Sequence, residues 1–283
     1  MPTPDSITLR PFGPPDIAAA HGLSRAVSWP HRLEDWRLMA ALGEGVVAAD
    51  RDGTVQGVAM LWRQGADFAT LGMVIVSPAL QKAGIGRRLL AALVEAAGER
   101  RIQLNATAEG LKLYRSFGFA ETGGIHQHNG ILSPSAVPAS GAEAVRPLRA
   151  GEAEALRGLD RAATGVDRGE VLSALLAVSE GLAVERDGVL AGTLLVRDFG
   201  RGRLLGPLVA RDEEAALALL SSAATRTGGF LRADIPEDAT RLAAWLAGAG
   251  LARVGAVRTM LRGAPAPARD TPRVFGLASQ ALG

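Results

Sequence analysis

The sequence predicts an α+β protein in which one fold is written twice. Three observations carry that expectation. Short apolar, β-branched runs follow one another before the first long amphipathic helix, the order expected of a central mixed sheet flanked by helices. One of those runs, Val74-Ile75-Val76, passes through a Gly-bearing turn straight into that helix. The same grammar then recurs at a spacing near half the chain, the mark of a duplicated fold.

Ile7-Thr8-Leu9-Arg10-Pro11 reads as an opening strand near 7–11, followed by Ala-rich helical stretches near 15–25 and 33–41. Val47-Ala48-Ala49 belongs to a strand near 45–50 that enters an Asp52-Gly53 hairpin turn and returns through Gly57, in a strand near 55–63. A fourth strand near 67–76 leads into the Gly-bearing turn. The helix near 85–100 puts Ile85, Leu89, Leu90, Leu93, Val94 and Ala97 on one face, the spacing that packs against a sheet. A strand near 101–106, a helix near 109–117 and a strand near 118–129 complete the first copy.

Leu132 to Gly141, small and Pro-containing, is the clearest linker. Beyond it, Glu143-Ala144-Val145-Arg146-Pro147 echoes the opening strand. Leu182-Ala183-Val184-Glu185-Arg186-Asp187-Gly188 echoes the hairpin, with Gly192 matching Gly57. Leu205-Gly206-Pro207-Leu208 matches Leu71-Gly72-Met73-Val74, and Ala249-Gly250-Leu251 matches Phe117-Gly118-Phe119. The expected division is therefore 1–135, a linker at 136–142, and 143–283. The copies differ in chemistry. After Val209-Ala210 the second runs through Arg211-Asp212-Glu213-Glu214 into its helix, and acids there cap the helix dipole themselves and repel an anion. Leu246 stands where the first copy has Tyr114, and Asp234 where it has Asn105.

A length of 283 residues suits two domains of average size, and 48% hydrophobic residues suffice for two cores. The formal charge is only +2, and arginine supplies nearly all the basic residues, Lys82 and Lys112 being the lysines. No basic cluster suits a nucleic acid or a membrane surface, so neither partner is expected. The absence of cysteine excludes disulfides, thiolate nucleophiles and Cys-ligated metals, and no metal is expected. Without a signal pattern or an apolar run of membrane-spanning length, a soluble cytoplasmic protein is expected. The Arg-over-Lys and Ala/Gly bias points to a GC-rich bacterial genome.

The turn after Val76 carries the chemistry. A strand–turn–helix junction presents backbone N–H groups at the positive end of the helix dipole, which suits a pyrophosphate. Gly84 and Gly86 let the backbone approach an anion, and Lys82, Arg87 and Arg88 add charge at its rim. No Lys-Ser or Lys-Thr follows, so this is not a Walker loop, and Leu89 replaces the third small residue of a dinucleotide fingerprint. Gln81-Lys82-Ala83-Gly84-Ile85-Gly86-Arg87 instead resembles the Q/R-x-x-G-x-G/A loop of the GNAT superfamily of acyl-CoA N-acyltransferases. The resemblance continues through Leu104-Asn105-Ala106-Thr107 to Leu113-Tyr114-Arg115-Ser116-Phe117-Gly118-Phe119. The whole chain looks like tandem-GNAT proteins with a degenerate YitH-type C-terminal domain, which has segments similar to Gly165-Val166-Asp167-Arg168 and Asp234-Ile235-Pro236.

That resemblance implies two tandem GNAT folds, each a mixed, mostly antiparallel sheet flanked by helices. Residues 1–135 would bind acetyl-CoA or coenzyme A and catalyse, and 143–283 would serve the acceptor site or the structure. In the family the strand before the loop splays from its neighbour and offers backbone groups to the pantetheine arm. Met73, Val74, Ile75 and Val76 hold that place, and the Val74 N–H is the candidate oxyanion donor. The implied coenzyme contacts are Val74, Ile75, Val76, Gln81, Lys82, Ala83, Gly84, Ile85, Gly86, Arg87, Arg88 and Asn105. Asn105 either reaches the pantetheine or caps its strand end. Tyr114, the sole tyrosine, falls where many family members place the acid that protonates the departing thiolate, a role its ordinary pKa of about 10 suits. Its other reading is a helix-face aromatic bridging core and solvent.

The carboxylate base that many members carry on the fourth strand is missing between Phe68 and Val76. His128, sharing a strand face with His126, is the candidate base, beside proton loss to water or an amine already neutral. Trp29 and Trp36 can wall an acceptor pocket, and Asp35 or Glu34 can hold a cationic amine; Asp35 reads equally as a helix-start acid and Trp36 as core. Asp160, Asp167 and Asp234 either reach a cleft between the halves or are a surface acid, a loop Asp–Arg pair and a strand-end turn residue. The resulting expectation is direct transfer of an acetyl group from acetyl-CoA to a primary amine of a small molecule, by a monomer. The alternatives are a non-catalytic acyl-CoA-binding module and an enzyme acting on peptides or protein N-termini.

Overall fold

A computed structural model describes residues 7–139, 145–265 and 271–283. The end of the expected linker, 140–142, and the Glu143-Ala144 start of the second repeat lie outside the described residues. The chain forms two compact units, Met1–Leu104 and Asn105–Gly283.

The first unit begins with β1 (Thr8–Pro11), α1 (Ile17–Ala26) and α2 (Leu33–Leu42). It continues with β2 (Glu44–Ala49), β3 (Val55–Gln64), β4 (Phe68–Val76), α3 (Ile85–Ala97) and the start of β5 (Arg101–Ala106). Strands β1 to β4 pair antiparallel in chain order, β2 to β4 through short hairpin connections and β1 with β2 across the excursion through α1 and α2. β5 joins β4 in parallel because α3 carries the chain back across the sheet between them. The predicted face of α3 is the buried one: Ile85, Leu89, Leu90, Leu93 and Ala97 pack inward. The helix ends at Ala97, short of the expected 100, because Gly98 takes φ 62 and returns its N–H to the Glu95 carbonyl. A Cβ on Gly57 would stand 3.1 Å from Leu89, so glycine there lets α3 lie close on β3.

The second unit holds α4 (Leu111–Arg115), β6 (Ala120–Ile131), β7 (Val145–Pro147), α5 (Ala153–Thr164) and α6 (Gly169–Leu176). They are followed by β8 (Glu180–Arg186), β9 (Val189–Phe199), β10 (Gly202–Ala210), α7 (Glu213–Thr227) and β11 (Phe230–Pro236). α8 (Thr240–Gly248), β12 (Ala252–Arg262) and β13 (Arg273–Gly276) complete it. Its strands lie in the order β12-β6-β11-β10-β9-β8-β7, with β13 also on β10. Among the described residues of these strands, β10 and β11, joined through α7, pair in parallel and the others antiparallel. The duplication is visible in detail. A Cβ on Gly192 would stand 2.8 Å from Leu219 of α7, the same close approach that Gly57 permits in the first copy. Leu219, Leu220 and Ala223 of α7 join Leu194, Leu205, Leu231 and Leu246 in one apolar core.

One feature departs from chain order. β6, the last strand of the first repeat, is bonded on both edges by strands of the second. It faces β11 from Ile131↔Phe230 to Ile125↔Pro236, and β12 from Asn129↔Ala252 to Ala120↔Leu261. A strand paired on both edges belongs structurally to its neighbours. The compact boundary accordingly falls at Leu104, upstream of the Pro-containing linker.

Candidate active site

In the first unit, parallel pairing of β4 with β5 covers only Phe68–Thr70 against Arg101–Gln103. On the other edge the register slips: Ile75 opposes Val58 and Gly72 opposes Met60, so Met73 and Val74 face Ala59 as a bulge. Met73 there takes φ 54, a left-handed conformation that costs a side-chain-bearing residue about 1 kcal/mol or more. Bulge and early parting together leave the β5-facing edge of Met73–Val76 without ladder bonds among the described residues. Such an edge accepts an extended ligand as an added strand.

The chain then makes a single 3-10 turn at Pro78–Leu80, passes Lys82 at φ 66, and starts α3 from Gly84 at φ 82. The first helical bond runs from the Arg88 N–H to the Gly84 carbonyl at 3.2 Å. The N–H groups of Ile85 and Gly86 thus precede the helical ladder, at the positive end of the dipole. Nothing lies within 4 Å of where a Gly84 Cβ would stand, so the space above this helix end is open. The cradle fits a pyrophosphate in shape and sign. Gln81 Nε2 donates to the Val76 carbonyl at 3.4 Å, tying the turn to the strand. Lys82 and Arg87 are exposed at the rim. Arg88 differs from expectation: its guanidinium donates to the Ile7 carbonyl at 2.8 Å and so anchors the helix start to the chain leading into β1.

The expected acceptor residues are mostly committed elsewhere. Trp29 is half-buried and meets His31 edge-on, centroids 5.8 Å apart, so it alone of the two tryptophans has a face to offer. Trp36 is a core residue instead of a pocket wall: it is fully buried, stacks on Phe12 and donates Nε1–H to Ser24 Oγ at 3.1 Å. Asp35, 2% exposed, accepts from the Arg32 N–H at 2.8 Å and from the Arg32 guanidinium at 3.0 Å. Its carboxylate caps α2, which corrects its assignment to an incoming amine.

In the second unit, Tyr114 is half-buried on α4 and meets Phe119 edge-on at 6.0 Å. Gly118, at φ 82, ends the helix and brings the Phe119 N–H back to the Tyr114 carbonyl at 3.3 Å. A Cβ on Gly110 would stand 2.7 Å from the Tyr114 ring, so this glycine makes the room the ring occupies. Burial pushes the phenol up to about 12, which keeps it protonated at physiological pH and able to act as an acid.

Asn105 ties strands together. Its Oδ1 accepts from Thr259 Oγ of β12 at 2.8 Å, and its Nδ2 donates to the Gln280 carbonyl at 2.8 Å. Both ends of the amide serve the chain's own groups, as the strand-end reading expects. His128 is 3% exposed, with Nδ1 3.1 Å from the Leu251 carbonyl. A carbonyl can only accept, so Nδ1 carries the proton and the lone pair sits on Nε2, which is buried without a partner. Burial pulls its pKa down, the Leu251 bond opposing. These are the surroundings of a core histidine rather than of a base open to an amine.

Asp234 is buried on β11, paired with Arg232 at 2.8 Å and accepting from Gln280 Nε2 at 3.2 Å. Asp160 forms a buried bidentate pair with Arg168 at 2.5 and 2.9 Å, and Asp167 accepts from the Gly169 N–H at 3.0 Å. Asp160 and Asp234 are therefore committed to buried ion pairs, and Asp167 is an exposed loop acid that caps the start of α6. At the start of α7, Asp212 accepts from the Ala215 N–H at 2.9 Å and pairs with Arg186, so the second copy caps its own helix where the first leaves a cradle. Among the described residues no acidic, His or Cys group is arranged for a metal, and no helix is long and apolar enough to cross a membrane. Sequence reasoning missed the Met73 bulge and the role of Gly110. The latter had a signal, a glycine four residues before a helical aromatic.

Two family models, each described as an acetyltransferase (GNAT) domain, match residues 27–133 and 156–276, one in each repeat. The N-acetyltransferase YitH of Bacillus subtilis is 30% identical over 219 residues, 76% of this chain and 77% of that protein. Among solved structures, a Pyrococcus horikoshii protein assigned as an acetyltransferase has a TM-score of 0.81, covering 98% of this chain and 96% of that one at 23% identity. A GCN5-related N-acetyltransferase from Sphaerobacter thermophilus has a TM-score of 0.66, covering 99% and 100% at 18% identity. A tandem GNAT protein from the clavulanic acid biosynthesis pathway has a TM-score of 0.65, covering 92% and 100% at 16% identity. At those identities the structural likenesses bear on the fold alone.

Proposed function

Since the chain belongs to the GNAT N-acetyltransferases, as a tandem homologue of YitH, we propose that its first copy moves an acetyl group from acetyl-CoA to a primary amine of a small molecule. The family implies an acyl-CoA donor. The observation that carries the placement is the open edge of Met73–Val76 leading directly into the Gly84 cradle.

On this reading the edge takes the pantetheine amides as an added strand, and the N–H groups at Ile85 and Gly86 take the pyrophosphate, with Lys82 and Arg87 adding charge. The neutral amine nitrogen attacks the thioester carbonyl carbon, so the C–N bond forms as the C–S bond breaks. The Val74 N–H stabilises the oxyanion. The sulfur takes a proton from the Tyr114 phenol, which is reprotonated by solvent, and the amine's surplus proton passes to water. Water takes the base role because Asp35 is engaged with Arg32 and His128 is enclosed. The near-neutral charge supports a small acceptor over a nucleic acid.

Gly84→Glu tests the donor site. It sets a carboxylate where the pyrophosphate would lie and should weaken acetyl-CoA binding in calorimetry by about 100-fold or more; Gly84→Ala, which carries the same strain at φ 82 without the charge, is the control and should bind more tightly than the Glu variant. An unchanged affinity would overturn the placement. An amine library screened for acetyl-CoA-dependent thiol release tests the acceptor. Activity on peptides alone would refute the small molecule, and donor binding that no amine turns into thiol release would establish a non-catalytic module.

A further inference from the structure

The second copy has the same parting of strands, and there it is filled. β10 pairs with β11 only at Arg203–Leu231 and Leu204–Arg232, and its register on β9 slips between Leu205 and Leu208, as β4 slips on β3. Beyond the slip β13 runs antiparallel along β10, with Leu208 opposite Gly276, Val209 opposite Val274 and Ala210 opposite Arg273. Leu277 then donates its N–H to the Asp234 carbonyl of β11 at 2.9 Å. The segment therefore bridges the two strands where they separate. By the repeat, Leu208, Val209 and Ala210 correspond to Val74, Ile75 and Val76, the edge that the first copy leaves open.

The slot is shaped for this occupant. A Cβ on Gly206 would land on the Leu277 carbonyl oxygen, and one on Gly276 would stand 3.1 Å from the Leu208 side chain. Phe275 is buried in the core under α7, and the buried Arg197 donates to the Ala278 carbonyl at 2.9 Å.

We propose that Arg273–Leu277 is a built-in strand ligand of the second copy, occupying in cis the slot that the first copy offers to the pantetheine arm. This rests on the reading of the first-copy edge as the donor slot. The physical reason is that parted strands leave backbone groups that need partners. The first copy leaves them for a ligand; the second satisfies them with its own chain, at the high effective concentration of an intramolecular segment. A free donor has no counterweight there, because the self-capped start of α7 offers its pyrophosphate nothing.

Hydrogen exchange on the full chain, with and without saturating acetyl-CoA, tests this. In the free chain, amides of Val274 to Leu277 should exchange about 100-fold or more slower than unstructured peptide, and acetyl-CoA should leave them unchanged. Acetyl-CoA should slow exchange at Val74 and Val76, with one site in calorimetry. Gly206→Ala should expel the segment, speeding its exchange by about 10-fold or more, while the single donor site persists. Fast exchange of Val274 to Leu277 in the free chain, their release by acetyl-CoA, or a second donor site would overturn the proposal, as would unchanged exchange in a folded Gly206→Ala chain. If that variant does not fold, the unmodified chain decides. Failure to protect Val74 and Val76 alone counts against the donor reading of the first copy instead.

Discussion

Burial raises the Tyr114 phenol further above physiological pH, and Gly110 leaves the room that the ring occupies. Tyr114→Phe should lower kcat by about 100-fold with little change in the KM for acetyl-CoA, since a proton donor acts chiefly in the transition state. Gly110→Ala should do the same more mildly by displacing the ring, and its melting temperature would show that the fold persists. Equal turnover in Tyr114→Phe, with chemistry shown to be rate-limiting, would reduce Tyr114 to packing. His128 makes a prediction of the opposite kind, about stability. Burial makes the native state bind the His128 proton less readily than the unfolded state does. As pH falls through the ordinary histidine value of about 6.5, the unfolded state gains a proton the native state refuses, so stability drops; above that value both states are neutral and the term vanishes. Melting temperatures between about pH 8 and 5 should therefore fall on the acid side, and His128→Asn should flatten that limb. An unaltered limb would place the proton loss elsewhere.

Elements follow local pattern closely, and their ends are set by single residues. The helix expected near 85–100 stops at Ala97 because of Gly98, and the strand expected near 118–129 runs from Ala120 to Ile131 after the turn at Gly118. The periodicity of apolar residues was enough to find both, since it records only which face is buried. What a strand-end side chain bonds to is a different matter, and Asn105 shows it. Its side chain looks like a ligand contact in the sequence, but Thr259 and Gln280 reach it from positions 154 and 175 residues away. Asn105→Ala should lower unfolding free energy by about 1–3 kcal/mol, by leaving the Thr259 hydroxyl and the Gln280 carbonyl without their partner. Denaturant titration measures this. A raised KM for acetyl-CoA at unchanged stability would return Asn105 to the pantetheine.

At the scale of the molecule, the repeat and the compact units are cut in different places. β6 is the last strand of the first repeat but is bonded on both edges by β11 and β12 of the second. Residues 1–135 expressed alone should therefore aggregate or remain unfolded, because β6 would carry two bare edges. Expression with size-exclusion chromatography and exchange-resistant amides as the readout checks this. A monomeric, cooperatively folded fragment would show that β6 finds another partner when its neighbours are absent. The buried Asp160–Arg168 pair belongs to the same argument: it fastens α5 to the chain entering α6 inside the second unit, far in sequence from any donor contact.

By itself the sequence determined the α+β class, the duplication, the order and type of nearly every element of the first copy, and the glycine-bearing turn from which α3 starts. Each of these depends on contacts between residues close in the chain: alternation, helical spacing, glycine where φ turns positive, and a helix start with or without its own acid cap. The tertiary structure decided the rest. It chose the partner of β6, committed Asp35, Asp160 and Asp234 to ion pairs and caps, enclosed His128, and laid Arg273–Leu277 into the slot of the second copy. A side chain's type states what it can bond to. Which group arrives to bond it depends on segments that the chain brings together only when it folds.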